Sequence, residues 1–66
     1  MIKINIDKIL EQQNRSIYWL AKETDISYNN LLNLIKGRNK SISFEVLEKI
    51  CLALDVDISD VLELIE

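Results

Sequence analysis

An uncharged polar face lies on the outward side of the helix predicted for residues 28–36. The apolar residues of this stretch recur at helical spacing and turn inward, which leaves Tyr28, Asn29 and Asn33 outward. Asparagine is a poor helix former, so three asparagines within five positions suggest a role beyond helicity. Its amide can donate to adenine N7 and accept from adenine N6 in the DNA major groove. The face is suited to reading base edges, although a solvated helix face is usually polar in any case.

Groups suited to phosphate oxygens flank this face. Ser16 and the free N–H groups that open the preceding helix form one predicted anion site. The polar, basic stretch that follows Gly37 forms a second. The predicted phosphate contacts are Ser16, Asn30, Lys36, Arg38, Asn39 and Lys40. Such contacts fix the register of a protein on DNA, whereas base contacts specify the sequence.

The charge is unevenly distributed along the chain. The total is −3 at pH 7, which by itself argues against a polyanionic partner. Residues 1–40 nevertheless carry seven basic and four acidic side chains, whereas residues 41–66 carry one basic and seven acidic ones. A basic surface matters more for phosphate binding than the total charge does. The acidic half is therefore expected to face away from a nucleic acid.

A sharp break separates the helical pattern before Asp25 from the one after Ser27. Two helices joined by three or four residues are typical of a helix-turn-helix, which we predict over about residues 16–36. Asp25 is expected in the left-handed turn conformation, and Ser27 is expected to cap the second helix. Gly37, the only glycine, is expected to close it.

We predict three more helices, which gives an all-α fold of five helices in a single domain over residues 1–66. The first begins near Asn5 or Asp7 and ends around residues 13–14. The fourth follows Ser43 and ends at Asp55, and the fifth starts at Asp57. The apolar face predicted for the fourth helix consists of Phe44, Leu47, Ile50, Cys51 and Leu54. The predicted terminal helix has more apolar side chains than a short helix needs, namely Ile58, Leu62 and Ile65. These residues either form a dimer interface or pack in the core in the ordinary way.

The N-terminal segment has the two-residue period of a short strand. Ile2, Ile4 and Ile6 alternate with polar residues, but the remainder of the chain is predicted to be helical and offers no partner strand. The segment could pair with a second subunit. Packing of its isoleucines on the core is the favoured alternative, because single short strands seldom persist.

Composition excludes several classes of function. One cysteine and no histidine exclude an internal disulfide and the familiar Cys/His zinc sites. No nucleophile motif or phosphate-binding glycine loop is present, so we expect neither an enzyme nor a cofactor. The apolar runs are too short for a membrane span or a signal peptide. We therefore expect a cytoplasmic protein with no membrane association and no small-molecule ligand.

The spaced positions resemble the phage-repressor and Cro type (XRE-like) helix-turn-helix family. The resemblance rests on LAKETDISYNNLLNLIKGR followed by SISFEVLEKICLALDVDISDVLEL. It implies a compact five-helix, lambda-repressor-like fold whose third helix enters the major groove, commonly in a two-fold homodimer. Tyr28, Asn29 and Asn33 match base-reading positions of the family. Ser16, Asn30, Lys36, Arg38 and Lys40 match phosphate-contacting positions.

This chain also departs from the family pattern. Ile17 stands where many members have a glutamine that supports recognition, and Asp25 and Asp55 replace the usual turn glycines. Leu10 and Ile35 occupy the places of a buried Arg–Glu pair, so an apolar contact is expected there. We expect no appended sensor or oligomerisation domain.

Two functions fit these features. The first is a small bacterial or phage transcriptional regulator that binds operator DNA as a homodimer. The alternative is a protein-interaction module, antitoxin-like or adaptor, that uses its acidic and apolar C-terminal half. The net charge of −3 favours the alternative modestly.

Overall fold

The computed structural model describes residues 1–39 and 41–66 and has five helices framed by two short strands. The elements are β1 Ile2–Ile4, α1 Ile6–Gln12, α2 Ile17–Thr24, α3 Tyr28–Ile35, α4 Phe44–Leu54, α5 Ile58–Val61 and β2 Leu62–Leu64. The predicted five-helix fold is confirmed. The chain is small enough, with a Cα radius of gyration of 10.9 Å, that every helix borders one shared core.

Serine side chains start the three longest helices. The hydroxyl oxygens of Ser16, Ser27 and Ser43 accept hydrogen bonds from the backbone N–H three residues on, at 3.0, 3.2 and 3.1 Å. Each serine thereby satisfies one of the N–H groups that a helix leaves unpaired at its start. In α5 the Asp57 N–H donates to the Asp60 carboxylate at 3.1 Å.

Left-handed residues end four of the helices. Asn14, Asp25 and Asp55 have φ of 58°, 58° and 56°, and Gly37 has φ of 72°. The left-handed conformations of Asp25 and Gly37 were predicted, and Asp55 was predicted to take the turn after the fourth helix. This backbone conformation folds the chain back on the last helical turn, so that the following N–H groups bond to the carbonyls left free there. The connections that follow α1, α2 and α4 are correspondingly short, at four, three and three residues.

The prediction that the N-terminal strand lacks a partner within the chain is wrong. β1 pairs in antiparallel fashion with β2, with Ile2 opposite Leu64 and Ile4 opposite Leu62. The second strand exists because α5 ends after one turn, and the backbone is already extended at Leu62. Ile4 and Leu62 pack on the core from this sheet, so the favoured interpretation, that the isoleucines pack on the core, holds for Ile4 and for buried Ile6.

Ten apolar side chains form the core, contributed by all five helices. They are Ile6, Ile9, Leu10, Leu20, Leu31, Leu34, Leu47, Ile50, Leu54 and Val61. Ala21 and Ile35 pack against this cluster, and Leu10 lies within it, which is consistent with an apolar replacement of the buried ion pair. The Gln13 side chain at the end of α1 donates to the Leu54 carbonyl at 2.8 Å and so joins α1 to α4.

One predicted member of the α4 face lies outside the core. Phe44 is 89% exposed, although the sequence grouped it with Leu47 and Ile50. Phe44 is the first residue of α4, and side chains on a helix lean toward its N-terminus. The phenyl ring therefore projects beyond the end of the helix.

Candidate nucleic-acid interface

The turn between α2 and α3 fixes how α3 is presented. Asp25 reverses the chain, Ile26 packs against the core, and Ser27 caps α3. At the end of α2 the buried Thr24 hydroxyl donates to the Leu20 carbonyl at 2.7 Å, so its polar group is satisfied inside the helix. Leu31 and Leu34 then anchor α3 to the core. The opposite side of α3 faces solvent.

The outward side of α3 brings the three predicted base-reading residues together. A helix turns about 100° per residue, so Tyr28, Asn29 and Asn33 lie within less than half of its circumference. Tyr28 is 46% exposed, Asn29 is exposed, and Asn33 is half-buried. The same arc carries Leu32, which is half-buried, and Lys36, which is exposed just after the helix. The face is uncharged along the helix and positive at its end.

Asn30 is separated from that arc, on the flank of α3 nearer to α4. It borders a shallow groove of about 180 Å³ together with Asn39 and Ser43. Its backbone N–H bonds to Ser27, and its side chain is exposed. This position beside the basic stretch is consistent with a contact at the edge of an interface.

The end of α3 joins the helix to the basic stretch through paired backbone bonds. The Gly37 N–H donates to the Leu34 carbonyl at 3.1 Å, and the Arg38 N–H donates to the Asn33 carbonyl at 2.9 Å. This pattern is the Schellman closure that a left-handed residue allows. It also returns the Arg38 side chain to Asn33, where Nη1 donates to Oδ1 at 3.2 Å. Lys40 lies outside the described residues.

Two cations, one within α2 and one just before it, lie over aromatic rings, a feature that the sequence analysis missed. The Arg15 guanidinium is 4.0 Å from the Trp19 ring centroid, and the Lys22 ammonium is 4.7 Å from that of Tyr18. Both pairs are four residues apart. For Tyr18 and Lys22, which both lie within α2, this is the spacing that brings side chains together on a helix. That spacing was visible in the sequence. Arg15 thereby adds a positive charge directly before Ser16.

The positive groups near α3 are not neutralised by contact with described carboxylates. In the part of the chain that the structure describes, the one ion pair joins Lys49 Nζ to Glu45 Oε1 at 3.4 Å, on α4. Lys36 and Arg38 are exposed. Their charge is therefore available to a polyanion, although solvent and salt screen it.

Other kinds of site find no support in the described residues. Residues 1–39 and 41–66 contain no group of three carboxylates or thiols that could hold a metal ion. None of the helices described here is long and apolar enough to cross a bilayer. The candidate interface is therefore the outward surface of α3 together with its two flanks.

Comparisons with known proteins agree with this fold. The sequence model of the Cro/C1-type HTH DNA-binding domain family matches residues 5–66. The chain is 39% identical over 62 residues to the uncharacterized HTH-type transcriptional regulator YozG of Bacillus subtilis, covering 94% of this chain and 74% of YozG. A crystal structure from Bacteroides fragilis, described as a candidate DNA-binding protein, superposes with a TM-score of 0.84 at 24% identity. That match covers 96% of this chain and all of the other. The chain thus belongs to the Cro/C1-type helix-turn-helix DNA-binding family.

Proposed function

We propose that this chain is a small cytoplasmic transcriptional regulator that binds operator DNA sequence-specifically. The recognition helix, residues 28–36, enters the major groove. The observation that carries the proposal is the uncharged, hydrogen-bonding face of α3, which is anchored by Leu31 and Leu34 and bordered by unpaired cations. Amides and hydroxyls can distinguish base edges in the major groove, whereas the cations that border the face are placed to contact phosphates.

Tyr28, Asn29 and Asn33 are the proposed base-reading residues. The proposed phosphate contacts are Ser16, Asn30, Lys36, Arg38, Asn39 and Lys40, the last of which is outside the described residues. Ser16 sits at the start of α2, where the N–H groups of Ile17 and Tyr18 remain free to meet an anion. With Lys36 and Arg38 at the far end of α3, the contacts bracket the reading face on two sides.

A two-fold homodimer would read two half-sites about 34 Å apart, which is one turn of DNA. The proposed interface residues are Ile58, Leu62 and Ile65. Ile58 is 54% exposed and Ile65 is 38% exposed, so both have apolar area to bury against a second copy. Leu62 lies in β2 and is half-buried within its own chain, so it contributes less new surface.

Selection from a randomised duplex pool at low salt tests the proposal. The folded protein is expected to enrich a motif with two related half-sites. Asn33→Ala should relax the preference at one position in each half-site, at a cost on the order of 1–3 kcal/mol. Glu48→Ala, an exposed change on α4, is the matched control and should leave the motif unchanged. Folded protein that enriches no sequence would overturn the proposal.

The oligomeric state can be measured separately. Sedimentation of the complex with a two-half-site duplex should give two chains per duplex. Sedimentation of the free protein measures its oligomeric state without DNA. Ile58→Asp should weaken binding to that duplex while leaving binding to a single half-site unchanged. Equal loss on both duplexes would argue that Ile58 has no part in dimerisation.

A protein-interaction role is the second candidate, and exposed apolar residues in the acidic half favour it. Phe44, Leu52 and Ile58 are all more than half exposed, and acidic residues surround them in the sequence. Ionic strength separates the two candidates. Binding through phosphates falls steeply as salt rises, whereas binding through an apolar surface changes little.

A further inference from the structure

Asn33 and Arg38 are joined by two hydrogen bonds, one between backbones and one between side chains. The Arg38 N–H donates to the Asn33 carbonyl at 2.9 Å, and Nη1 donates to Oδ1 at 3.2 Å. The left-handed Gly37 makes both possible, because it returns the chain to the last turn of α3. The side-chain bond therefore starts from a backbone position that is already fixed. Less conformational freedom remains to be lost when it forms.

The contact determines which way the Asn33 amide points. A guanidinium has only N–H donors, so the amide atom that faces it must be the oxygen. The Asn33 Nδ2 group is then directed away from Arg38. Asn33 lies at one edge of the arc that also carries Tyr28 and Asn29, so its pair with the exposed Arg38 is at the rim of the α3 reading face. The groups that the pair presents outward are Asn33 Nδ2 and the remaining guanidinium nitrogens. All of these groups donate hydrogen bonds.

We propose that Arg38 is a specificity-determining positioning residue that makes Asn33 read guanine instead of adenine. This inference rests on the proposed major-groove function. Guanine presents two adjacent acceptors, N7 and O6, and no donor at its major-groove edge. Adenine presents the N7 acceptor beside the N6 amino donor, which would meet the donors of the pair. A buried donor left without an acceptor is costly, so the pair selects against adenine.

A free asparagine has the opposite preference. Its oxygen accepts from adenine N6 while its nitrogen donates to N7, which is the favoured bidentate contact of asparagine. Removal of the Arg38 side chain frees the Asn33 oxygen for this contact. Arg38→Ala is therefore expected to change the preferred base, in addition to weakening any phosphate contact. A residue that touched only the DNA backbone would not change base preference.

Duplex selection with four proteins tests the inference. Comparison of the motifs selected by the wild type and by Asn33→Ala identifies the base pair that depends on Asn33. Guanine is expected at that pair in the wild-type motif. Arg38→Ala should enrich adenine at that same pair and keep the rest of the motif. Lys36→Ala, which also removes one positive charge but has no described bond to Asn33, is the matched control and should keep guanine.

Titration of fixed duplexes gives the magnitude. The wild type should bind the guanine duplex roughly tenfold more tightly than the adenine duplex, and Arg38→Ala should reverse the order. Inosine has the same major-groove edge as guanine and should replace it without loss. Adenine preference in the wild type, or guanine preference retained in Arg38→Ala, would overturn the inference. Failure of the wild type to enrich any sequence would overturn the proposed function, and this inference with it.

Discussion

Ile4 and Leu62 lie opposite one another in the antiparallel ladder that joins the two ends of the chain. The pair has a structural consequence beyond its own contact. Both side chains pack on the core, and the Asn5 N–H beside them donates to the Val61 carbonyl at 2.8 Å. A core of ten residues is small, and a 66-residue chain has little surplus stability. The sheet thus covers one side of the core that helices alone leave open.

Leu62→Ala should lower the free energy of unfolding by about 1–2 kcal/mol. The cost is smaller than the roughly 2–5 kcal/mol of a fully buried leucine, because Leu62 is half-buried. Urea unfolding followed by circular dichroism measures it. Leu64→Ala in the same strand is the control, since Leu64 is 68% exposed and should change stability by no more than about 0.5 kcal/mol. Equal costs at both positions would argue against core packing by the sheet.

Gly37→Ala should destabilise the chain through its backbone alone. An added Cβ at Gly37 would meet nothing within 4 Å, but φ is +72°, a conformation that costs an L-residue about 1–2 kcal/mol. Asp25→Gly at φ 58° should act in the opposite direction and raise stability by up to about 1 kcal/mol. Denaturant unfolding of both variants provides the comparison. If both variants lose stability equally, left-handed strain is not the cause.

Lys36→Ala should weaken DNA binding uniformly across sequences. The Lys36 ammonium is exposed just after α3, so its loss should remove about one released counterion and lower the slope of log affinity against log salt by about 1. Titrations at several salt concentrations measure the slope. Lys49→Ala provides a charge-matched control, because Lys49 pairs with Glu45 on α4 in the acidic half. An equal change of slope in both variants would contradict the proposed DNA-facing surface.

The helix starts, most helix ends and the set of residues on the outward side of α3 could be predicted from the sequence because each depends on neighbouring residues. A serine before an apolar periodic stretch is sufficient to place a cap, as at Ser27 and Ser43. Left-handed ends are similarly local at Asp25, Asp55 and Gly37. Helical period alone predicts that Tyr28, Asn29 and Asn33 share a side of α3.

The strand pairing and the Asn33–Arg38 contact could not be predicted in this way. Strand β1 finds its partner at the other end of the chain, and a three-residue stretch after α5 carries no strand signal of its own. The contact between Arg38 and Asn33 depends on how far Gly37 turns the chain and on the rotamers of both side chains. Neither is specified by residue type at fixed spacing. The prediction that Phe44 belongs to the buried face of α4 was wrong for a related reason. Helical period does not indicate where a helix stops covering the core.

The alkaline pH dependence of stability should contain a contribution from Cys51. Burial raises the pKa of the Cys51 thiol, and the nearby Asp57 and Asp60 carboxylates raise it further, because all three disfavour the thiolate. The folded chain therefore keeps this proton to a higher pH than the unfolded chain does. Below the ordinary thiol pKa of about 8.5 both states are protonated and the stabilising contribution is fully present.

As the pH rises above that value, the unfolded chain ionises first, so the contribution of Cys51 is lost as the pH rises through the folded-state pKa. Unfolding free energies measured at pH 7.5, about 9 and about 10 should thus fall more steeply for the wild type than for Cys51→Ala. The variant also loses packing, because Cys51 contacts the core, but that loss is the same at every pH. Subtracting the two curves cancels this loss and every contribution that the two proteins share. Curves that run parallel across this range would show that the thiol titrates alike in the folded and unfolded chains.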